Sequence, residues 1–106
     1  MNAPILSDTL LLGFSEYASP AHRLAKALQC PYGQVEIHRF PDGESKVRQP
    51  ETLPRHAIVC RSLDNPNDKL IELLLTAQTA RAAGVRELTL VAPYLCYMRQ
   101  DMAFSW

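Results

Sequence analysis

Three short apolar runs, Thr9–Phe14, Ala57–Cys60 and Glu87–Ala92, constrain this chain more than any other feature. Each is too short for a buried helix and long enough for a buried strand. Between the first two lies Ala21–Leu28, with Leu24, Ala25 and Leu28 at helical spacing. Ser19-Pro20 in front of it supplies an N-cap followed by proline at the first helical position, and Pro31 ends it. Gln34–Phe40 alternates, Val35 and Ile37 on one face and Glu36 and His38 on the other, as a half-buried strand does. Pro41-Asp42-Gly43 is turn chemistry, and Ser45–Gln49 can return as a hairpin partner. Asn65-Pro66-Asn67-Asp68 offers capping side chains to the clearest helix in the chain, whose stripe is Leu70, Leu73, Leu74 and Ala77, widened by Ile71 and Leu75. Gly84 is placed to end that helix, and Pro93 closes the last strand. Strand, helix, strand, hairpin, strand, helix, strand is the order of a doubly wound α/β sheet. In such sheets ligands gather at the carboxyl ends of the strands, which here carry Ser15–Ser19, Ser62–Asp68 and Pro93–Asp101.

Composition removes several classes of function. The 106 residues suffice for one domain, and 47% of them are apolar, so a core can form without staples. Eleven basic residues balance eleven acidic ones. A nucleic-acid binder would need a basic face and a membrane anchor a polybasic one; neither is expected. Apolar stretches such as Leu10–Leu12 and Leu73–Leu75 are far shorter than a membrane span, and no Lys or Arg precedes Leu10 as a signal peptide would require. Cys30, Cys60 and Cys96 are odd in number and form no C-x-x-C, which favours reduced thiols and a cytoplasmic location over disulfides or zinc. His22, His38 and His56 lack metal-ligand spacing. With four glycines and none of the glycine-rich phosphate motifs, any ATP must be bound without a P-loop.

Three segments can carry chemistry, and each has a structural reading beside the functional one. Arg39-Phe40-Pro41-Asp42-Gly43-Glu44 is a hairpin turn; it also sets an aromatic ring beside two carboxylates, a combination that can stack a base and accept hydrogen bonds from its exocyclic amine. Tyr97-Met98-Arg99-Gln100-Asp101 is a solvated loop or a nucleotide contact, with Arg99 stacking on a base or pairing with phosphate. Ser62–Asp68 caps a helix or holds an anion at its N-terminus, although Asp64 and Asp68 make a bare phosphate less welcome. Arg48, Arg55, Arg61 and Arg99 are candidate phosphate ligands, but no spacing singles them out, and most read as surface charges.

Taken in order, Arg39–Glu44, Ser62 with Pro66-Asn67-Asp68 and Glu72-Leu73-Leu74, then Pro93-Tyr94 and Tyr97-x-Arg99-Gln100-Asp101, resemble the ribose-phosphate pyrophosphokinase family across most of the chain. The resemblance implies a phosphoribosyltransferase-like (Rossmann-like) α/β fold, a mostly parallel sheet flanked by helices with a β-hairpin. It makes residues 1–106 an incomplete N-terminal domain of a two-domain enzyme, which transfers pyrophosphate from ATP to ribose 5-phosphate with Mg2+. It assigns ATP binding to Phe40, Asp42, Glu44, Arg99, Gln100 and Asp101. Phe40 would stack on adenine in a neighbouring subunit's site and Arg99 would cover the base's other face, so a homo-oligomer is implied. The family's catalytic loop, magnesium-binding histidine and second domain lie beyond these residues; no catalytic or metal residue is expected here, and the chain alone is expected to be inactive. Pro54 stands where regulated members carry an arginine, and Met102-Ala103-Phe104 replaces basic residues common after the Arg-Gln-Asp motif. The rival readings are a non-catalytic module that associates with a full-length synthetase, and an unrelated flavodoxin-like nucleotide-binding domain.

Overall fold

The computed structural model describes residues 8–93. Five strands form one sheet in the order β3-β2-β1-β4-β5. These are β1 (Thr9–Phe14), β2 (Tyr32–Arg39), β3 (Ser45–Arg48), β4 (His56–Cys60) and β5 (Glu87–Val91). Strand β1 is parallel to both β2 and β4, and β4 is parallel to β5. Only the β2–β3 hairpin is antiparallel, with Glu36 opposite Arg48 and Arg39 opposite Ser45. Helices α1 (Ala18–Leu28) and α2 (Pro66–Ala82) complete the doubly wound arrangement that the order of periodicities predicts.

Period-2 alternation sorts the strand residues into two cores. One face carries Leu12, Phe14, Val35, Ala57 and Val59, packed with Ala80 and Leu73 of α2. The other carries Leu11, Ile58 and Cys60 against Ala21 and Ala25 of α1. Leu11, Leu12 and Phe14 have no exposed surface, and burying each contributes about 1.5–3 kcal/mol. The two described cysteines, Cys30 and Cys60, are unbridged, and burial raises both thiols above their ordinary value.

The helix ends differ in part from expectation. A 3-10 turn (Ser15–Tyr17) leads into α1, so Tyr17 takes the N-cap and Ser19 lies inside the helix. Pro20 still falls in the first turn, where its missing N–H costs nothing. Gln29 closes α1 in the left-handed region at φ 57°, with Cys30 N–H bonded to Ala25 O. At α2, Asn65 occupies the N-cap position but is left-handed and makes no side-chain cap. Gly84, at φ 106°, ends α2 as expected.

The largest correction concerns which side of α2 faces the sheet. The buried positions are Glu72, Thr76 and Ala80, whereas Leu70, Ile71 and Leu74 of the expected apolar stripe are exposed. Leu73 alone of the four stripe residues packs on the core cluster around Phe14. The helix is turned by roughly a quarter turn from the orientation that apolar area favours, at about 100° per residue. The reason lies in the arginines at the strand ends, described below. Thr76 is accommodated because its hydroxyl donates to Glu72 O at 2.7 Å.

Gly13 in β1 is required by close approach. A Cβ there would run into the Tyr32 ring, which is itself stacked on His22 with centroids 3.6 Å apart. Gly13→Ala is expected to cost about 1–3 kcal/mol, read as a lower urea midpoint. Tyr32→Leu in the same chain should return part of that loss; a wild-type midpoint for Gly13→Ala alone would refute the contact.

Candidate functional site

The parallel strands bring the ends of β1, β2 and β4 to one edge of the sheet, and the sequence loads that edge with charge. Glu16 follows β1, Arg39 ends β2, Arg61 follows β4, and α2 delivers Asp68, Lys69 and Glu72. Glu72 is fully buried and each of its carboxylate oxygens meets a different arginine. Oε1 accepts from Arg61 at 2.7 Å, and Oε2 accepts from Arg39 Nε at 3.1 Å and from its terminal nitrogen at 2.9 Å. Arg61 is only 3% exposed. It also donates from Nε to Glu16 at 2.6 Å and from a terminal nitrogen to Lys69 O at 3.3 Å, and its guanidinium lies 4.1 Å from the centroid of the Phe14 ring. Arg61 is therefore a core residue, against its expected reading as a surface charge.

Desolvated ions of this kind persist only when each is fully partnered. Arg61→Met strands Glu72 and is expected to cost about 3–5 kcal/mol in urea unfolding. Arg61→Met with Glu72→Met, which removes both charges, should recover most of it. Equal stability of the single variant and the parent would show that the pair is not buried in solution.

The loop after β4 is tied separately. Lys69 Nζ donates to Asp64 Oδ1 at 2.9 Å and to Ser62 O at 3.2 Å, and Ser62 Oγ donates to Asp64 at 2.8 Å. The hydrogen bond from Lys69, then that from Ser62, holds the Asp64 carboxyl below its ordinary value. A lowered carboxyl favours the folded loop above the ordinary carboxylate range of about 4 and loses that contribution as the pH falls through the lower value. Asp64 is exposed, so the effect is local. Its NMR titration midpoint should rise in Lys69→Met; an unchanged midpoint would count against the contact. Arg39, Arg61 and Lys69 are each paired with a carboxylate, so this edge presents acid and base together and no bare phosphate cradle.

Beyond Arg39 the hairpin tip carries the sequence-predicted residues. Phe40 N–H bonds Glu44 O at 2.8 Å, Gly43 N–H bonds Phe40 O at 2.9 Å, and Gly43 adopts φ 93°. Asp42 Oδ1 accepts the Glu44 amide at 3.0 Å, so one of its oxygens shapes the turn. Phe40 is 41% exposed, unusual for so large a ring, and its contact with His38 is edge-on at 4.5 Å. Two concavities flank the tip. One, of about 640 Å3, is lined by Phe40, His38, Lys46 and Arg48; the other, of about 270 Å3, separates Gly43, Glu44 and Ser45 from Asp68, Ile71 and Leu75 of α2. The first is large enough for a nucleoside. Phe40, Asp42 and Glu44 thus share one turn, with Phe40 lining the first concavity, Glu44 the second, and Asp42 bonded within the turn. Arg99, Gln100 and Asp101 lie outside the described residues. Among the described residues no three His, Cys, Asp or Glu side chains gather as metal ligands.

Comparison with known proteins decides the family. Residues 9–105 match the family described as the N-terminal domain of ribose phosphate pyrophosphokinase. The chain belongs to the ribose-phosphate pyrophosphokinase family. A ribose-phosphate pyrophosphokinase of Saccharolobus solfataricus is 40% identical over 98 residues, which is 91% of this chain and 34% of that protein. One of Pyrococcus furiosus is 46% identical over 74 residues, 69% of this chain and 26% of the relative. The chain therefore spans about a third of the length of the ribose-phosphate pyrophosphokinases it matches. The fold is shared with a purine phosphoribosyltransferase of Pyrococcus horikoshii, with a TM-score of 0.55 at 14% identity, over 82% of this chain and 63% of the other. No helix among the described residues of this chain is long and apolar enough to cross a membrane.

The sequence did not show that Arg39, Arg61 and Glu72 pair with one another, and Arg61 read as a phosphate ligand or a surface charge. The available signal was the ionic residue in the middle of the leucine-rich stretch, Glu72 between Ile71 and Leu73.

Proposed function

We propose that this chain supplies the adenine-binding wall of a ribose-phosphate pyrophosphokinase, which passes a pyrophosphoryl group from ATP to ribose 5-phosphate. The observation that carries the reading is the hairpin tip: a large ring held out at 41% exposure on a concavity of about 640 Å3, in a turn that also carries Asp42 and Glu44. Such a ring gains by stacking on a base and loses little on leaving water. The carboxylates accept from the exocyclic amine of adenine, which a 6-oxo base cannot offer. Arg99 and Gln100 close the other face of the base, with Asp101 following them in the motif. Transfer of this type needs chiefly positioning and charge neutralisation, and a rigid adenine seat contributes the first. The described residues do not assemble a donor set for magnesium, so no step is assigned to it here. The site is shared between subunits of a homo-oligomer, the hairpin of one reaching the nucleotide of its neighbour.

Calorimetric titration of the chain with ATP and with ITP tests this reading. ATP should bind more tightly. Phe40→Ala should weaken ATP by about tenfold, within the range of base–aromatic stacking. Glu44→Gln should narrow the gap between the two nucleotides. Equal affinity for ATP and ITP together with an inert Phe40→Ala would overturn the assignment.

A further inference from the structure

We infer that Glu72 and Arg39 act as a pair of positioning residues that set the pose of the hairpin tip and, through it, the affinity for adenine nucleotide. The inference rests on the adenine-site reading above and adds to it residues that never touch the nucleotide.

The argument begins with what holds the tip. Its internal bonds, Phe40 to Glu44, Gly43 to Phe40 and Asp42 to Glu44, fix its shape but not its direction. His38, the ring neighbour of Phe40, belongs to the same hairpin. Behind the tip, Ile37 and Val47 pack on the core with Leu73 of α2, but a groove of about 270 Å3 separates Gly43–Ser45 from the helix. Arg39, the residue immediately before Phe40 and the last of β2 to pair with β3, crosses to the helix layer. Two of its nitrogens reach one oxygen of Glu72, and a third lies 3.6 Å from Asp68.

Glu72 is suited to be the fixed end of this tie. It has no exposed surface, and its other oxygen is held by buried Arg61, which is fastened in turn to Glu16 and to the Lys69 carbonyl. An anchor with no rotamer freedom transmits its position to a partner that has some. Arg39 is that partner, with its side chain 56% exposed. The contact with Asp68, exposed at both ends, adds little. The burial of Glu72 in place of a leucine thus serves the direction of Phe40 as well as the docking of α2.

The two variants are Arg39→Met, which cuts the tie and leaves the Glu72–Arg61 pair intact, and Glu72→Gln, which keeps the shape and removes the charge. Each should weaken ATP binding by about fivefold, and each should speed hydrogen exchange at the Phe40 and Gly43 amides. Arg39→Met should lower the urea midpoint less than Arg61→Met does, because Glu72 keeps its buried partner Arg61, so the inference is testable even if Glu72→Gln fails to fold. Neither variant should weaken binding further when Phe40 is already Ala, since both act through that ring. If Phe40→Ala weakens ATP but Arg39→Met does not, or if the two losses simply add, the positioning role is wrong and the adenine site stands. If Phe40→Ala is itself inert, the adenine-site reading fails and this inference with it.

Discussion

A buried glutamate shared by two arginines governs how this molecule is put together. Glu72 lies under α2 between the ends of β2 and β4, which flank β1, and the buried Arg61 guanidinium could not be left in that place alone. Burying an ion is expensive, and the expense is offset only when every charge has its partner and the geometry is good. The consequence is visible in α2, which turns a glutamate and a threonine inward and leaves Leu70, Ile71 and Leu74 in solvent. The same carboxylate joins the layers at the carboxyl-end edge of the parallel strands. Through Arg61 it reaches the turn after β1, and through Arg39 it reaches the hairpin.

The edge that these ions occupy is where a doubly wound sheet binds its ligands. In this chain the parallel core is rigid and apolar, while the hairpin extends β2 beyond it and ends in an exposed phenylalanine. Family membership and fold agree with that division of labour. A phosphoribosyltransferase shares the architecture at 14% identity, so the architecture by itself says nothing of the reaction. In the segment Arg39–Glu44 the first residue is bound to Glu72 and the remainder is presented to solvent.

Most of the fold was legible in the sequence because strand burial depends on local pattern. Thr9–Phe14 was bounded correctly from its apolar run, and the hairpin followed from Pro41-Asp42-Gly43 between two alternating segments. Gly84 ended α2 where a left-handed residue was needed. The misreadings have one kind of cause, an interaction distant in sequence. Leu70, Leu73, Leu74 and Ala77 form a sound amphipathic stripe in isolation, and only Arg39 and Arg61, 33 and 11 residues from Glu72, reverse it. Asn65 reads as a cap, yet its left-handed backbone leaves the loop to be fastened by Lys69 and Asp64. Of the candidate site, the turn at Asp42-Gly43 was evident from residue type. The buried ions that orient it were not, because a lone Arg or Glu in a sequence reads as surface.

The orientation of α2 also bears on selectivity in folding. Leucines pack tolerably in many poses, since apolar contact has little directional preference. A carboxylate that must meet two guanidiniums at hydrogen-bond distance accepts very few, because a slip of one residue along α2 would strand three charges at once. The helix thus carries its address in charge and leaves its leucines to report nothing about where it belongs. An ionic lock of this sort trades some apolar burial for a single recognisable seat.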